Sequence, residues 1–270
     1  MKGLFGRTSV RIILLTLLVL ASHGAWAETV PDPLVTDPLA VDAAMTGWAA
    51  ALGDRGPAPR RLGGLATALG ERGWRHADDL TLPATEAFAR REGDCVSFAF
   101  VLAALARQRG VSVVFAILAP EAAARAGGFA VGRGHLAVAV EVRRGFRVFD
   151  AGGERDDAAH FRAVTDRQAV AIFHSNRGSA LLLAGRSAEA VSELRRATRV
   201  GPDLAVAWTN LGVALARLGD AEAAERAYRQ AVSLAPESAG AWRNLALLLE
   251  RRLALEPETT RSASAGKEPR

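Results

Sequence analysis

Cysteine is nearly absent from this sequence, since Cys95 is the only one among 270 residues. A single thiol cannot close an internal disulfide, and it cannot supply the four thiolates of a structural zinc site. Aromatic residues are also scarce at 6%, whereas 50% of the residues are hydrophobic and 23% are charged. This balance excludes a wholly disordered chain, collagen and a small disulfide-rich scaffold, and the length matches about two globular domains.

Net charge is low once the N-terminal residues are set aside. The whole chain carries +5, and three of its positive charges (Lys2, Arg7 and Arg11) precede the first acidic residue, Glu28. A chain that begins at Glu28 therefore carries +2, which is +5 less those three charges. Strong attraction to phosphate needs a basic stripe, and here the remaining arginines are interleaved with acidic residues. We expect no nucleic-acid partner.

The one long apolar run lies near the N-terminus. Residues 12–21 form a ten-residue apolar stretch that follows the basic residues and precedes Ala25-Trp26-Ala27. A basic start, a short apolar run and an A-x-A site together predict a secretory signal peptide over residues 1–27. A membrane span needs about 20 apolar residues. We therefore expect an exported, soluble protein, periplasmic or secreted, with no stable membrane anchor after signal cleavage; an uncleaved anchor is the alternative.

A repeat with a period of 34 residues occupies the C-terminal third. Phe173–Pro202 aligns with Ala207–Pro236, and a partial third copy begins near Trp242. Small residues and prolines recur at matching places, as in the pairs Gly178 and Gly212, Ala190 and Ala224, Ala197 and Ala231, and Pro202 and Pro236. This pattern resembles the tetratricopeptide repeat, which implies paired antiparallel helices. We predict about two and a half such repeats over residues 168–255 and a disordered tail over residues 256–270.

Asparagine and arginine recur within this repeat at the same interval. The resemblance implies that these side chains line a concave groove, where asparagines hydrogen-bond a peptide backbone or a terminal carboxylate. The alternative is that the asparagines brace neighbouring repeats. We predict a peptide or protein partner bound through five residues: Asn176, Asn210, Asn244, Arg217 and Arg251.

The region between the signal and the repeats carries the one cysteine. Prolines at positions 31, 33 and 38 predict an extended linker over residues 28–40. Helices are predicted over residues 41–52 and 60–70, and a third, mostly buried helix follows Gly93-Asp94-Cys95 and stops at Gly110. Cys95 thus lies on the first turn of a helix, where free N–H groups favour a thiolate and hold an oxyanion.

A histidine and an aspartate follow the cysteine on predicted strands. Strand-like residues extend over 111–118, then from Leu136 to Val142, and a turn near Gly145 returns the chain along Phe146–Asp150. Because antiparallel neighbours pair end to end, we expect His135 and Asp150 to lie side by side. His160 and His174 are the alternative bases, and the loop Gly127–Gly134 is a possible lid over the cysteine.

The three motifs Gly93-Asp94-Cys95, Gly134-His135-Leu136 and Val148-Phe149-Asp150 resemble those of the transglutaminase-like superfamily of papain-type folds. This resemblance implies that Cys95 attacks a carbonyl carbon, His135 transfers the proton and Asp150 orients the imidazole. The resemblance also implies an α+β papain-type fold, which we predict over residues 41–167, followed by the all-α repeats. The layout also resembles a bacterial group that joins an exported transglutaminase-like domain to tetratricopeptide repeats.

The predicted function is cysteine-dependent acyl transfer, either amide hydrolysis or crosslinking, with the repeats recruiting a peptide or protein. The alternative is a catalytically inactive transglutaminase-like fold that serves as an adaptor. We expect no cofactor and no metal. No glutamine precedes Cys95 within the domain, so its own backbone N–H is the one oxyanion donor that the sequence identifies.

Overall fold

The computed structural model of the protein describes residues 37–53, 56–118, 124–155 and 161–255. The predicted signal peptide, most of the predicted linker, the predicted tail and His160 lie outside these ranges. Within them, no helix is long and apolar enough to cross a membrane.

The first half of the described chain contains four helices, and three of them follow the predicted pattern. Asp42 caps the first by accepting a hydrogen bond from the Met45 N–H, and Pro57 precedes the second. A short third helix was not predicted, because seven residues make fewer than two turns and leave little periodicity to detect. The helices are α1 (Ala43–Ala51), α2 (Ala58–Glu71), α3 (Ala84–Arg90) and α4 (Cys95–Gln108).

Strands alternate with turns between α4 and the repeats. Five of them form one sheet of order β8-β7-β6-β3-β9, in which every neighbouring pair is antiparallel. The sequence predicted the strands β3, β6 and β7 but missed the shorter ones. The strands are β1 (Arg75–His76), β2 (Glu92–Gly93), β3 (Val114–Ile117), β4 (Ala124–Ala126), β5 (Phe129–Val131), β6 (Leu136–Val142), β7 (Gly145–Asp150), β8 (Gly153–Glu154) and β9 (Arg162–Val164).

Helix α4 is the centre of the first hydrophobic core. All residues from Val96 to Ala106 are buried, so the helix is apolar on every face rather than along one stripe. The Phe100 ring lies 5.4 Å from the ring of Phe115 on β3 and 5.5 Å from that of Phe173 in the repeats. Burial of each such side chain contributes about 1.5–3 kcal/mol, so these contacts hold α4 against β3 and the first helix of the repeats.

Five helices make up the repeat region and confirm the predicted two and a half helical pairs. Gly178 and Gly212 stand where helices cross, because a Cβ there would lie 2.5 Å from Leu194 and from Tyr228, respectively. Pro202 and Pro236 follow the ends of the second helix in each pair, as predicted. The helices are α5 (Asp166–Leu183), α6 (Ser187–Val200), α7 (Ala205–Arg217), α8 (Ala221–Leu234) and α9 (Ala239–Leu255).

Each of the two regions contributes residues to the hydrophobic core of the other across the predicted boundary at Arg167. The first half of α5, including Ile172 and Phe173, packs in the core around α4. In return, Phe129 and Val131 of the β4–β5 hairpin pack in the core of the repeat helices. The described residues from Asp37 onward accordingly form a single compact unit.

Candidate active site

Cys95 is the first residue of α4, and a buried network holds the turn before it. The Asp94 carboxylate caps the helix by accepting hydrogen bonds from the Ser97 N–H and hydroxyl, both at 2.9 Å, and from the Thr81 hydroxyl at 2.5 Å. Gly93 has φ of +154°, and a Cβ there would lie 2.5 Å from the Ser97 Cβ. Only glycine fits this place, so the motif Gly93-Asp94-Cys95 sets the helix start.

The carboxyl group of Asp94 is a costly part of this network. Its burial raises its pKa above the ordinary value, although hydrogen bonds from Thr81 and Ser97 and the nearby amide of Asn176 act in the opposite direction. Asn176 belongs to the first repeat helix, so the repeats contact the residue that directly precedes the cysteine.

His135 and Asp150 meet at the ends of paired strands, as the sequence predicted. His135 directly precedes β6, Asp150 ends β7, and the register pairs Val138 with Phe149. The His135 Nε2 lies 3.4 Å from the Asp150 Oδ2. Antiparallel pairing thus brings together two residues that are 15 positions apart in the sequence.

Asp150 is 5% exposed and keeps its charge through its partners. Burial acts to raise its pKa, but the adjacent His135 ring, a hydrogen bond from the Gly152 N–H and the charge of Arg155 outweigh it, so the pKa lies below its ordinary value. An ionised carboxylate at this position stabilises a protonated imidazole and fixes its orientation.

The cysteine and the histidine line one small pocket. Cys95 is half-buried, and its Sγ lies 3.8 Å from the carbonyl oxygen of Gly134, the residue before His135. The cavity of about 40 Å³ has room for a few water molecules at most. Its lining residues are His76, Asp78, Asp94, Cys95, Arg133, Gly134, His135 and Asn176.

Several lining residues had no role in the sequence prediction. His76 lies on β1, which pairs in parallel with β2 and sets His76 beside Gly93. Its Nε2 lies 2.9 Å from the Asp78 Oδ1. Two-residue strands leave no periodic signal, so the sequence offered no means of placing His76 near the cysteine. The alternative base His174 is buried in α5 and hydrogen-bonded to Glu193, and it is not among the residues that line the pocket.

The three repeat asparagines bind an extended peptide, and that peptide belongs to the same chain. Each side-chain amide accepts a hydrogen bond from the N–H of one residue and donates one to the carbonyl of that same residue. Residues 130–134 are the segment that the asparagines bind. The pairs are Asn176 with Gly134 (2.9 and 3.1 Å), Asn210 with Gly132 (3.0 and 2.8 Å) and Asn244 with Ala130 (2.8 and 2.8 Å).

The two repeat arginines also contact the chain itself. Arg217 donates to the Leu182 carbonyl oxygen at 2.6 Å, and Arg251 donates to that of Gly127 at 3.2 Å. The Arg251 guanidinium lies 4.8 Å from the centre of the Phe129 ring. The predicted peptide groove therefore holds the β4–β5 hairpin in this structure, and the segment interpreted as a lid is part of that occupant.

Asn210 also connects neighbouring repeats, which is the alternative that the sequence left open for the asparagines. The Asn210 amide donates to the Ser179 hydroxyl of α5 at 2.9 Å while it binds Gly132. The Asn210 side chain therefore binds the extended segment and also braces two repeat helices.

Comparison with known families supports the repeats. Two models of the tetratricopeptide repeat match residues 144–205 and 205–238. The helical part of the first match begins only at α5, since its earlier residues include β7, β8 and β9. No curated protein matches the chain. The C-terminal region of this protein carries tetratricopeptide repeats, which are modules of protein–protein interaction.

Proposed function

We propose that this protein is an exported cysteine-dependent acyl-transfer enzyme of the transglutaminase-like type, acting on an amide. The observation that carries the proposal is the joint position of three residues. Cys95 begins a buried helix and faces the carbonyl of the residue before His135, while Asp150 contacts the His135 ring. The export part of the proposal rests on the sequence of residues 1–27, and it assigns the activity to the periplasm or the exterior.

The chemistry divides into two acyl transfers. His135 accepts the thiol proton, the Cys95 sulfur attacks the amide carbon, and the C–N bond breaks as His135 returns the proton to the leaving amine. Water or a second amine then attacks the thioester carbon and gives a proton to His135, and the C–S bond breaks. The product is an acid or a crosslinked amide, and the proton returns from His135 to the Cys95 sulfur. Because Nε2 contacts Asp150, Nδ1 is the ring nitrogen that exchanges the proton with sulfur.

The helix start contributes the electrostatic part of this proposal. The first N–H groups of an α-helix have no intrahelical acceptor, and the helix dipole is positive at that end. The Cys95 backbone N–H is therefore the donor that we assign to the oxyanion of the tetrahedral intermediate. Gly93, which no other residue replaces without a clash, keeps the backbone in the required turn.

The first test measures the reactivity of the only cysteine. We expect iodoacetamide to alkylate Cys95 in the folded protein at about pH 6 at least tenfold faster than in the same protein unfolded in urea, because an imidazolium stabilises the thiolate. His135→Ala should abolish that advantage, and Asp150→Asn should reduce it. Mass spectrometry of the intact protein counts the adduct without interference from other thiols.

The opposite outcome identifies the alternative function. If folded and unfolded protein react equally at about pH 6, and His135→Ala changes nothing, the acyl-transfer proposal fails. An inactive transglutaminase-like fold that acts as an adaptor through its repeats then remains. Binding of a separate peptide at Asn176, Asn210, Asn244, Arg217 and Arg251 requires that the chain's own hairpin leaves the groove.

A further inference from the structure

The asparagine ladder (Asn176, Asn210 and Asn244) joins the repeats to the segment that carries the candidate base. Alternate residues of an extended strand point the same way, so positions 130, 132 and 134 present their backbone groups to one side. Successive repeats present one asparagine every 34 residues along the sequence. The repeats thus bind every second residue of the extended segment. The contact between Asn176 and Gly134 lies directly before His135.

The fit between the segment and the repeat helices is close. A Cβ at Gly132 would lie 2.6 Å from the Val206 Cγ2 on α7, and one at Gly134 would lie 2.8 Å from the Ile172 Cγ2 on α5. Since there is no room for even a methyl group, the position of the helices determines the position of the backbone that leads into His135.

Asn176 differs from the other two rungs because it reaches both halves of the pocket. Its amide binds the N–H and the carbonyl of Gly134, which precedes His135, and it lies close enough to the carboxyl group of Asp94, which precedes Cys95, to lower the pKa of that group. It is 3% exposed and lines the pocket. One side chain of the repeat region therefore spans from the backbone of the base to the cap of the nucleophile helix.

We propose that Asn176 is a positioning residue for the Cys95–His135 pair, and that the asparagine ladder makes the repeats a structural part of the active site. This inference rests on the proposed function. It assigns the groove an intramolecular role: the repeats hold the base opposite the thiol. The effect of losing one asparagine should decrease from Asn176 to Asn210 to Asn244. They bind Gly134, Gly132 and Ala130, respectively, which lie progressively farther from His135 along the bound segment.

The test compares two isosteric variants in the full-length protein. Asn176→Asp and Asn210→Asp each keep an oxygen for the glycine N–H and lose the donor to the glycine carbonyl. The Ser179 hydroxyl lies beside Asn210 and can donate to the new carboxylate, whereas Asn176 faces the carboxyl group of Asp94. The readout is the rate of Cys95 alkylation by iodoacetamide between about pH 5 and pH 9, with His135→Ala as the lower limit.

We expect Asn176→Asp to lose about tenfold or more of the rate at about pH 6, and to approach His135→Ala, since small displacements of a reacting group have large effects. Asn210→Asp should stay within about threefold of the wild type. At about pH 9, where free thiols ionise without help, all the variants should converge. A purely structural role would lower thermal stability without this change in the pH profile.

Each outcome decides between the two proposals. A wild type with no excess reactivity at about pH 6 contradicts the proposed function itself. A reactive wild type, with Asn176→Asp and Asn210→Asp equally affected or equally unaffected, leaves the enzyme in place and overturns the positioning role. If Asn176→Asp does not fold, the same comparison is made with Asn176→Ser and Asn210→Ser, whose short hydroxyls cannot span to the glycines and carry no charge.

Discussion

At the scale of single residues, the acidic groups around the pocket show burial and pairing in competition. Asp94 and Asp150 are both nearly buried, yet their pKa values move in opposite directions. Asp94 receives hydrogen bonds from neutral groups, and these do not offset its loss of hydration. Asp150 has Arg155 and His135 as partners, and these offset its loss of hydration. The sequence identified both positions but contains no information about which effect dominates.

This difference predicts how stability at Asp150 depends on pH. A carboxylate with a lowered pKa in the folded state stabilises the fold above its ordinary value of 3.8, and this contribution is lost as the pH falls through the lowered value. Asp150→Asn should therefore reduce the free energy of unfolding by about 1–3 kcal/mol at neutral pH. The gap between variant and wild type should narrow at about pH 3.

Urea unfolding at the two pH values provides the measurement. Glu141→Gln is the matched control, because Glu141 is an exposed carboxylate on the strand paired with β7. It should change the unfolding free energy by less than about 0.5 kcal/mol at either pH. A gap for Asp150→Asn that stays constant with pH would contradict the assignment of a stabilising charge.

The residue level also shows what local sequence can and cannot reveal. Cys95 was correctly predicted on the first turn of a helix, because apolar residues at helical spacing follow it up to the stop at Gly110. His76 was not connected with the pocket, because its strand has two residues and its partner strand lies 17 positions away. The position of Asn176 at the pocket was equally hidden, since recurrence of asparagine every 34 residues indicated only a groove or a brace between repeats.

At the scale of secondary-structure elements, close helix crossings determine the geometry of the repeats. The predicted crossing at Gly212 leaves no space for a side chain, since a Cβ would lie 2.5 Å from the Tyr228 ring. Tyr228 is fully buried, and burial raises the pKa of its hydroxyl. Neither partner is able to move without opening the core between α7 and α8.

Gly212→Ala should therefore destabilise the protein by about 1–3 kcal/mol, which is typical of overpacking. Gly64→Ala is the control, because Gly64 lies exposed in the interior of α2 and nothing stands within 4 Å of its added Cβ. That change should instead stabilise the protein by about 0.5–1 kcal/mol through helix propensity. Thermal unfolding of the two variants distinguishes these effects, and a stabilised Gly212→Ala would show that the helices lie farther apart.

The β4–β5 hairpin is the element that the sequence described least well. Its glycine- and alanine-rich composition carries neither helical nor strand periodicity, so the sequence predicts a loop and a lid there. In the structure, Phe129 is 2% exposed, and its ring stacks on Tyr228 at 6.3 Å. The hairpin owes its conformation to the helices around it rather than to its own residues.

At the scale of the whole molecule, contacts in both directions connect the α+β region with the repeats. Arg107 of α4 forms a two-bond ion pair with Asp166 of α5, with both bonds at 2.7 Å. The Phe100 and Phe173 rings stack at 5.5 Å across the same boundary. Together with the asparagine ladder, these contacts make separate unfolding of the two regions costly.

We therefore expect thermal unfolding of the full chain in one cooperative transition, seen at the same temperature by helix circular dichroism and by tryptophan fluorescence. Independent domains would instead give two transitions. Arg107→Lys, which loses the two-bond geometry, should lower the unfolding free energy by about 1 kcal/mol or less. It should not separate the transition into two, because the apolar contacts across the boundary remain.

The sequence by itself determined the longer helices and strands and the local position of Cys95, His135 and Asp150 on them. Apolar residues at helical spacing after Gly93-Asp94-Cys95, apolar residues along β6 and β7, and small residues at a period of 34 can all be detected without a structure. Only the tertiary structure decided which peptide the repeats hold and what that peptide positions. Those contacts join Gly134 to Asn176 across 42 positions and Ala130 to Asn244 across 114. They arise from packing between distant elements, which no local pattern in a single sequence records.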